Sequence, residues 1–190
     1  MPSSSRERLL DAAVDLLQRQ GYHGTGLNEL LEQSGAPRGS LYHYFPGGKE
    51  QNGAEAIARA GGQVAGAIEH LLRAGPSVAD AVQALADLLA AGLEASEFER
   101  GCPVATTALE VTPRSEPIRA AVQASFESWL APLRERLEAA GFEPEQAAQR
   151  ADLTIAALEG ALVLARARQN ADVLRDAGRQ LRPLLQPPED

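Results

Sequence analysis

The 190 residues contain one cysteine, one tryptophan, three tyrosines and four phenylalanines. With Cys102 as its only thiol the chain cannot build a disulfide scaffold, and a lone thiol fits a reducing, cytoplasmic setting. β-Branched residues are few and period-two alternation is absent, so nothing reads as a strand. No apolar run reaches the roughly 20 residues of a membrane span. The most apolar stretch, 151–165, is broken by Asp152 and Glu159, and Asp11 and Asp15 interrupt the leucines that would make a secretory leader. Gly and Pro are scattered without a short period, which excludes collagen-like and mucin-like chains.

What is present suits helices and a core. Hydrophobic residues make up 44% of the chain, and Ala, Leu, Glu, Arg and Gln dominate. Ser4 and Glu7 form a capping-box pattern that opens a helix with the stripe Leu9, Leu10, Ala13, Leu16 and Leu17, ended by Gly21. Leu27, Leu30 and Leu31 mark a short second helix, broken at Ser34-Gly35-Ala36. Pro37 suits the first turn of a third, which carries Leu41 and Phe45 and stops at Pro46-Gly47-Gly48. Longer stripes follow. One runs from Ile57 to Leu72 and another, capped by Ser77, from Val78 to Leu89. A short apolar helix lies between Cys102-Pro103 and Pro113. The stripe from Ile118 to Leu137 should kink or break at Pro132. Two last helices, 147–168 and 171–185, precede Pro187-Pro188. The expectation is an all-α protein of about nine helices.

Charge is unevenly spread. The total is −8, yet from Gln33 to Lys49 there is no acid, only Arg38, His43 and Lys49. Two short helices around a glycine turn are the sequence form of a helix-turn-helix, whose second helix enters the DNA major groove. Leu41 and Phe45, four apart, supply an inner face. Arg38, Gly39, Ser40, Tyr42 and His43 offer donors, a hydroxyl and an aromatic tip to base edges and phosphates. A polar surface helix of any all-α protein would look similar, so periodicity alone leaves both readings open.

The full strings go further. Gly21-Tyr22-His23-Gly24-Thr25-Gly26-Leu27-Asn28-Glu29-Leu30 and Ser34-Gly35-Ala36-Pro37-Arg38-Gly39-Ser40-Leu41-Tyr42-His43-Tyr44-Phe45-Pro46-Gly47-Gly48-Lys49-Glu50 closely resemble the DNA-binding domain of TetR-family regulators. The resemblance covers residues 6–52. The Phe-Pro-Gly-Gly-Lys-Glu form and Arg100-Gly101-Cys102-Pro103-Val104-Ala105 resemble the LmrA/YxaF-type branch. It implies a three-helix helix-turn-helix domain at 1–48 and a helical ligand-binding and dimerisation domain at 49–190. By position it implies DNA contacts from Thr25, Arg38, Gly39, Ser40, Tyr42, His43, Tyr44 and Lys49. Gly26 and Pro37 stand where the family often has Ser or Thr, and Ser, so two side-chain caps are missing.

The resemblance further implies a homodimer on a two-fold symmetric, double-stranded operator, with repression relieved by a small apolar or aromatic effector. Phe98, Cys102, Thr106, Leu109, Phe126 and Trp129 have the mixed apolar and polar character of a pocket wall, although each taken singly reads more readily as core. Ile155, Leu158, Leu162, Leu174, Ala177 and Leu181 form stripes that face either a dimer partner or their own core. No metal or cofactor motif is present, and His23, His43 and His70 are too dispersed for an enzyme site. A helical small-molecule carrier that has lost DNA binding is the alternative.

Overall fold

The computed structural model describes residues 4–111 and 114–187. Pro113 and Pro188, expected to close helices, lie outside those residues. Among the described residues there are nine α-helices and no strand: α1 (Ser5–Gly24), α2 (Leu27–Ser34), α3 (Ser40–Tyr44), α4 (Gly48–Ala74), α5 (Val78–Ala95), α6 (Pro103–Val111), α7 (Glu116–Ala139), α8 (Pro144–Arg168) and α9 (Asp172–Leu181), then a 3₁₀ turn, Arg182–Leu185.

Local chemistry sets most of these boundaries. Ser4 and Glu7 cap α1 reciprocally, and these hydrogen bonds pull the Glu7 carboxyl below its ordinary value. Gly21, at φ +74°, takes a left-handed conformation that breaks α1 and leaves one further turn to Gly24. Ser77 accepts the Asp80 amide at the start of α5. Pro144 occupies the first turn of α8, where its missing N–H costs nothing, so the helix begins three residues earlier than Ala147.

Three expectations need correcting. Regular helix in α3 starts at Ser40, because Pro37 initiates a single tight turn in which the Ser40 amide donates to the Pro37 carbonyl at 2.8 Å. Helix α7 continues through Pro132 without a break. Trp129, Leu133 and Leu137 are fully buried on both sides of it, and that burial outweighs the roughly 3 kcal/mol that an interior proline costs. The last helix ends at Leu181 and tightens into 3₁₀, since Pro183 cannot donate to an α-helical ladder.

The chain packs as two units, 1–62 with 102–125, and 63–101 with 126–190. The first therefore holds α1–α3, the front of α4, α6 and the start of α7. Its core gathers Leu9, Leu17, Leu30, Leu41, Phe45 and Ile57. The second centres on Ile68, Leu85, Trp129, Leu133, Leu158 and Leu174, with α9 packed on α5 and α8. There Arg175 grips Glu94 through two bonds of 2.9 Å and lowers its carboxyl pKa, while the Ser77 hydroxyl first and then Arg182, at 2.7 Å, lower that of Asp80.

Candidate nucleic-acid interface

A five-residue helix cannot hold itself together in water, so α3 depends on what it packs against. Leu41 and Phe45 are 1% and 0% exposed and seat it in the first unit's core. The Arg6 guanidinium lies 5.4 Å from the Phe45 ring centre and pairs with Glu55, closing that core from outside. The turn before α3 is equally fixed. Gly35 takes the left-handed conformation that ends α2, and Arg8 on α1 donates to the Ser34 carbonyl at 3.1 Å. The Ala36 amide donates to the Ser34 hydroxyl at 3.3 Å.

With the inner face committed, the outer face is what remains. Arg38, Gly39, Tyr42 and His43 are exposed, Tyr42 at 60%, and Ser40 and Tyr44 are half-buried. His43 and Tyr44 meet edge to face, ring centres 4.8 Å apart. Lys49, at the start of α4, sets its ammonium 4.5 Å from the Tyr22 ring centre. Burial holds the Lys49 pKa below the ordinary lysine value, with the Glu110 charge opposing that shift, and burial raises Tyr22. Such a face presents a guanidinium, an ammonium, a hydroxyl and two aromatic tips with no carboxylate from 33 to 49, which suits a polyanion with readable edges.

Thr25 stands apart from that group. It is buried, and its hydroxyl donates to the Gly21 carbonyl at 2.7 Å, so only its lone pairs remain. The break at Gly21 frees the carbonyl it serves. Asn52, at the edge of a small cavity under α2, is also buried and its Nδ2 has no partner. Sequence reasoning missed Glu110. One of its carboxylate oxygens accepts the Tyr22 and His23 amides at 2.7 and 3.0 Å, and a side chain 87 residues away leaves no local signal for this.

The residues proposed for a pocket fall in both units. In the second, Phe126 and Trp129 pack edge to face at 5.1 Å, Trp129 being fully buried, while the half-buried Phe98 has positive φ and its carbonyl accepts from Arg166. In the first, Cys102 Sγ accepts the Ala105 amide at 3.4 Å and Thr106 is half-buried. Leu109 is 89% exposed and walls no enclosed space in the first unit. Of the six expected at a dimer interface, Ile155, Leu158, Leu162, Leu174 and Leu181 are buried in their own chain and Ala177 is half-buried. The exposed apolar side of α8 is another stripe: Leu153, Ala156, Gly160, Val163, Leu164 and Ala167. Among the described residues no three His, Cys, Asp or Glu side chains gather to hold a metal, and no helix is long and apolar enough to cross a membrane.

Comparison with known proteins points the same way. Residues 9–51 match the family described as bacterial regulatory proteins, tetR family, and residues 78–180 match the transcriptional regulator LmrA/YxaF-like C-terminal domain. The HTH-type transcriptional regulator LmrA of Bacillus subtilis is 36% identical over 90% of each chain. The HTH-type transcriptional regulator YxaF of the same organism is 37% identical over 84% of each. Among solved structures, the TetR-family regulator CifR, a cysteine mutant complexed with 26-bp double-strand operator DNA, superposes with a TM-score of 0.79. It is 29% identical, with 96% of this chain and 97% of that one covered.

Proposed function

The chain belongs to the TetR family of bacterial transcriptional regulators, in its LmrA/YxaF-like branch, and from that premise we propose a homodimeric repressor, released from a two-fold symmetric operator by a small apolar or aromatic effector. It is a regulator with a DNA-binding domain and not an enzyme. The division of labour proposed is 1–48 for DNA and 49–190 for effector and partner, at work in the cytoplasm.

The observation that carries the DNA reading is the sidedness of α3. Leu41 and Phe45 are sealed, and Arg38, Tyr42 and His43 are left outside in an acid-free window. In this reading Arg38, Gly39, Ser40, Tyr42 and His43 enter the groove, and Tyr44 and Lys49 reach backbone phosphates. Thr25 offers at most an acceptor, since its hydrogen is engaged. One such helix reads only a few base pairs, so two copies about 34–36 Å apart are needed for a specific site. The exposed stripe of α8 supplies the self-complementary surface for that pairing, in place of the stripes buried in the chain's own core. For the effector, Phe98, Cys102, Thr106, Phe126 and Trp129 remain candidates, with Leu109 the weakest.

Selection of bound sequences from a random double-stranded pool at near-physiological salt tests the reading. A two-fold symmetric motif is expected. Recovery of no motif by folded, dimeric protein would favour the carrier alternative.

A further inference from the structure

We propose that Glu110, on α6, is a positioning residue for operator recognition: its carboxylate fixes the corner between α1 and α2 and thereby sets the stance of α2, α3 and Lys49. The inference rests on the DNA-binding reading above. In that reading Glu110 itself touches no DNA and acts through the backbone it holds.

The corner is built around this carboxylate. Gly21 has positive φ, a backbone conformation that favours glycine, and the Glu110 carboxylate occupies the space that a Cβ would take there. The amides of Tyr22 and His23 donate to one carboxylate oxygen at 2.7 and 3.0 Å, the way a side chain caps a helix start. Both are charge-assisted bonds to backbone, and backbone cannot be repositioned by choosing another rotamer.

From the corner two lines of contact run towards the proposed interface. The Thr25 hydroxyl donates back to the Gly21 carbonyl at 2.7 Å, immediately before Gly26, the N-terminal cap position of α2. Gly26 provides no side-chain cap of its own, so the entry to α2 is set by this turn. The second line is Tyr22. Its ring lies under the Lys49 ammonium at 4.5 Å and against Gly53, where a Cβ would stand 2.8 Å from the ring. A shift of the corner therefore moves both the start of α2 and the cation at the start of α4.

The experiment uses the full chain. Glu110→Ala and Glu110→Gln are compared with the parent by fluorescence anisotropy on the selected operator and on a scrambled duplex, with melting temperature alongside. The alanine variant is expected to lose about tenfold in operator affinity with scrambled-duplex affinity unchanged, and glutamine, which keeps an acceptor oxygen, to recover most of it. Glu110→Asp keeps the charge but is one methylene short of reaching both amides. It is expected to lose about as much as alanine, and it decides the matter if alanine does not fold. Unchanged operator affinity in both the alanine and aspartate variants overturns the proposal. So does a parallel fall of both affinities with melting temperature, which would make Glu110 a purely structural residue. If the parent selects no sequence at all, the DNA reading itself fails and takes this inference with it.

Discussion

Leu41 and Tyr42 are adjacent in a helix of five residues, and their burial predicts opposite consequences when each is cut to alanine. Leu41 is 1% exposed, and α3 is far below the roughly 12–15 residues at which an isolated helix becomes stable, so its attachment rests on Leu41 and Phe45. Removing a fully buried leucine side chain costs about 2–5 kcal/mol through lost burial and the cavity left behind. For a chain of this size each kcal/mol moves the melting temperature by about 2–4 °C, so Leu41→Ala should melt roughly 4–20 °C lower. Tyr42 is 60% exposed, and its truncation should stay within about 0.5 kcal/mol in stability, a shift of at most about 2 °C. Its effect belongs to binding. Losing one base contact costs about 1–3 kcal/mol, which is roughly 5- to 150-fold in operator affinity for each protomer at fixed salt. Thermal melting followed by circular dichroism and anisotropy on the selected operator read the two quantities separately. The reasoning is refuted if Tyr42→Ala melts as low as Leu41→Ala, or if it binds operator like the parent.

Other consequences follow from single contacts. Lys49→Ala should weaken all duplexes alike and reduce the salt slope by about 0.9 per protomer; because burial lowers the Lys49 pKa, its protonated, phosphate-binding form should fade as pH rises at a lower pH than an ordinary lysine's, and Lys49→Arg should remove that alkaline loss. A parent whose affinity stays flat to the ordinary lysine pKa would contradict the partial burial of this cation. Thr107 is fully buried with an unpartnered hydroxyl, so Thr107→Val, of nearly the same shape, should raise the melting temperature by about 2–12 °C, and a fall would show that the hydroxyl is bonded. Val163→Glu places an unpaired charge on the exposed α8 stripe of each protomer, and sedimentation should show the dimer weakened roughly a hundredfold or more; an unaltered dimer would remove this stripe from the interface.

The parts of this molecule legible in sequence are those written by nearest neighbours along the chain. The Ser4–Glu7 box, the Ser77 cap and Gly35 after α2 act within a few residues and set boundaries as expected, and Gly21 interrupts α1 one turn before its end at Gly24. The two faces of α3 were legible for the same reason, since Leu41 and Phe45 recur at helical spacing among polar residues. Pro132 misled because propensity reports only the local cost, and the buried side chains flanking it were invisible at that level. The engagement of Thr25 was equally invisible: a hydroxyl at a helix start suits a phosphate, and here the break at Gly21 also releases a carbonyl that accepts its hydrogen.

Helix α8 shows where periodicity stops being informative. Ile155, Leu158 and Leu162 lie on one side, and Leu153, Val163 and Leu164 on another, so the helix is apolar nearly all round and its pattern names no inner face. Packing against α5 and α9 resolves the first side. The second stays open to solvent, in an arc of about 100° at the 3.6-residue period, with Gly160 at its middle and free space where its side chain would be. Singly exposed leucines are ordinary, but six exposed small or aliphatic residues on one face of one helix form a patch of the kind that marks an interface. A second copy is the partner that the proposed function itself requires. A two-fold axis uses each residue of the stripe twice, and the same axis imposes two-fold symmetry on the paired recognition helices. A monomeric parent at micromolar concentration would therefore remove both the interface and the basis for a symmetric operator.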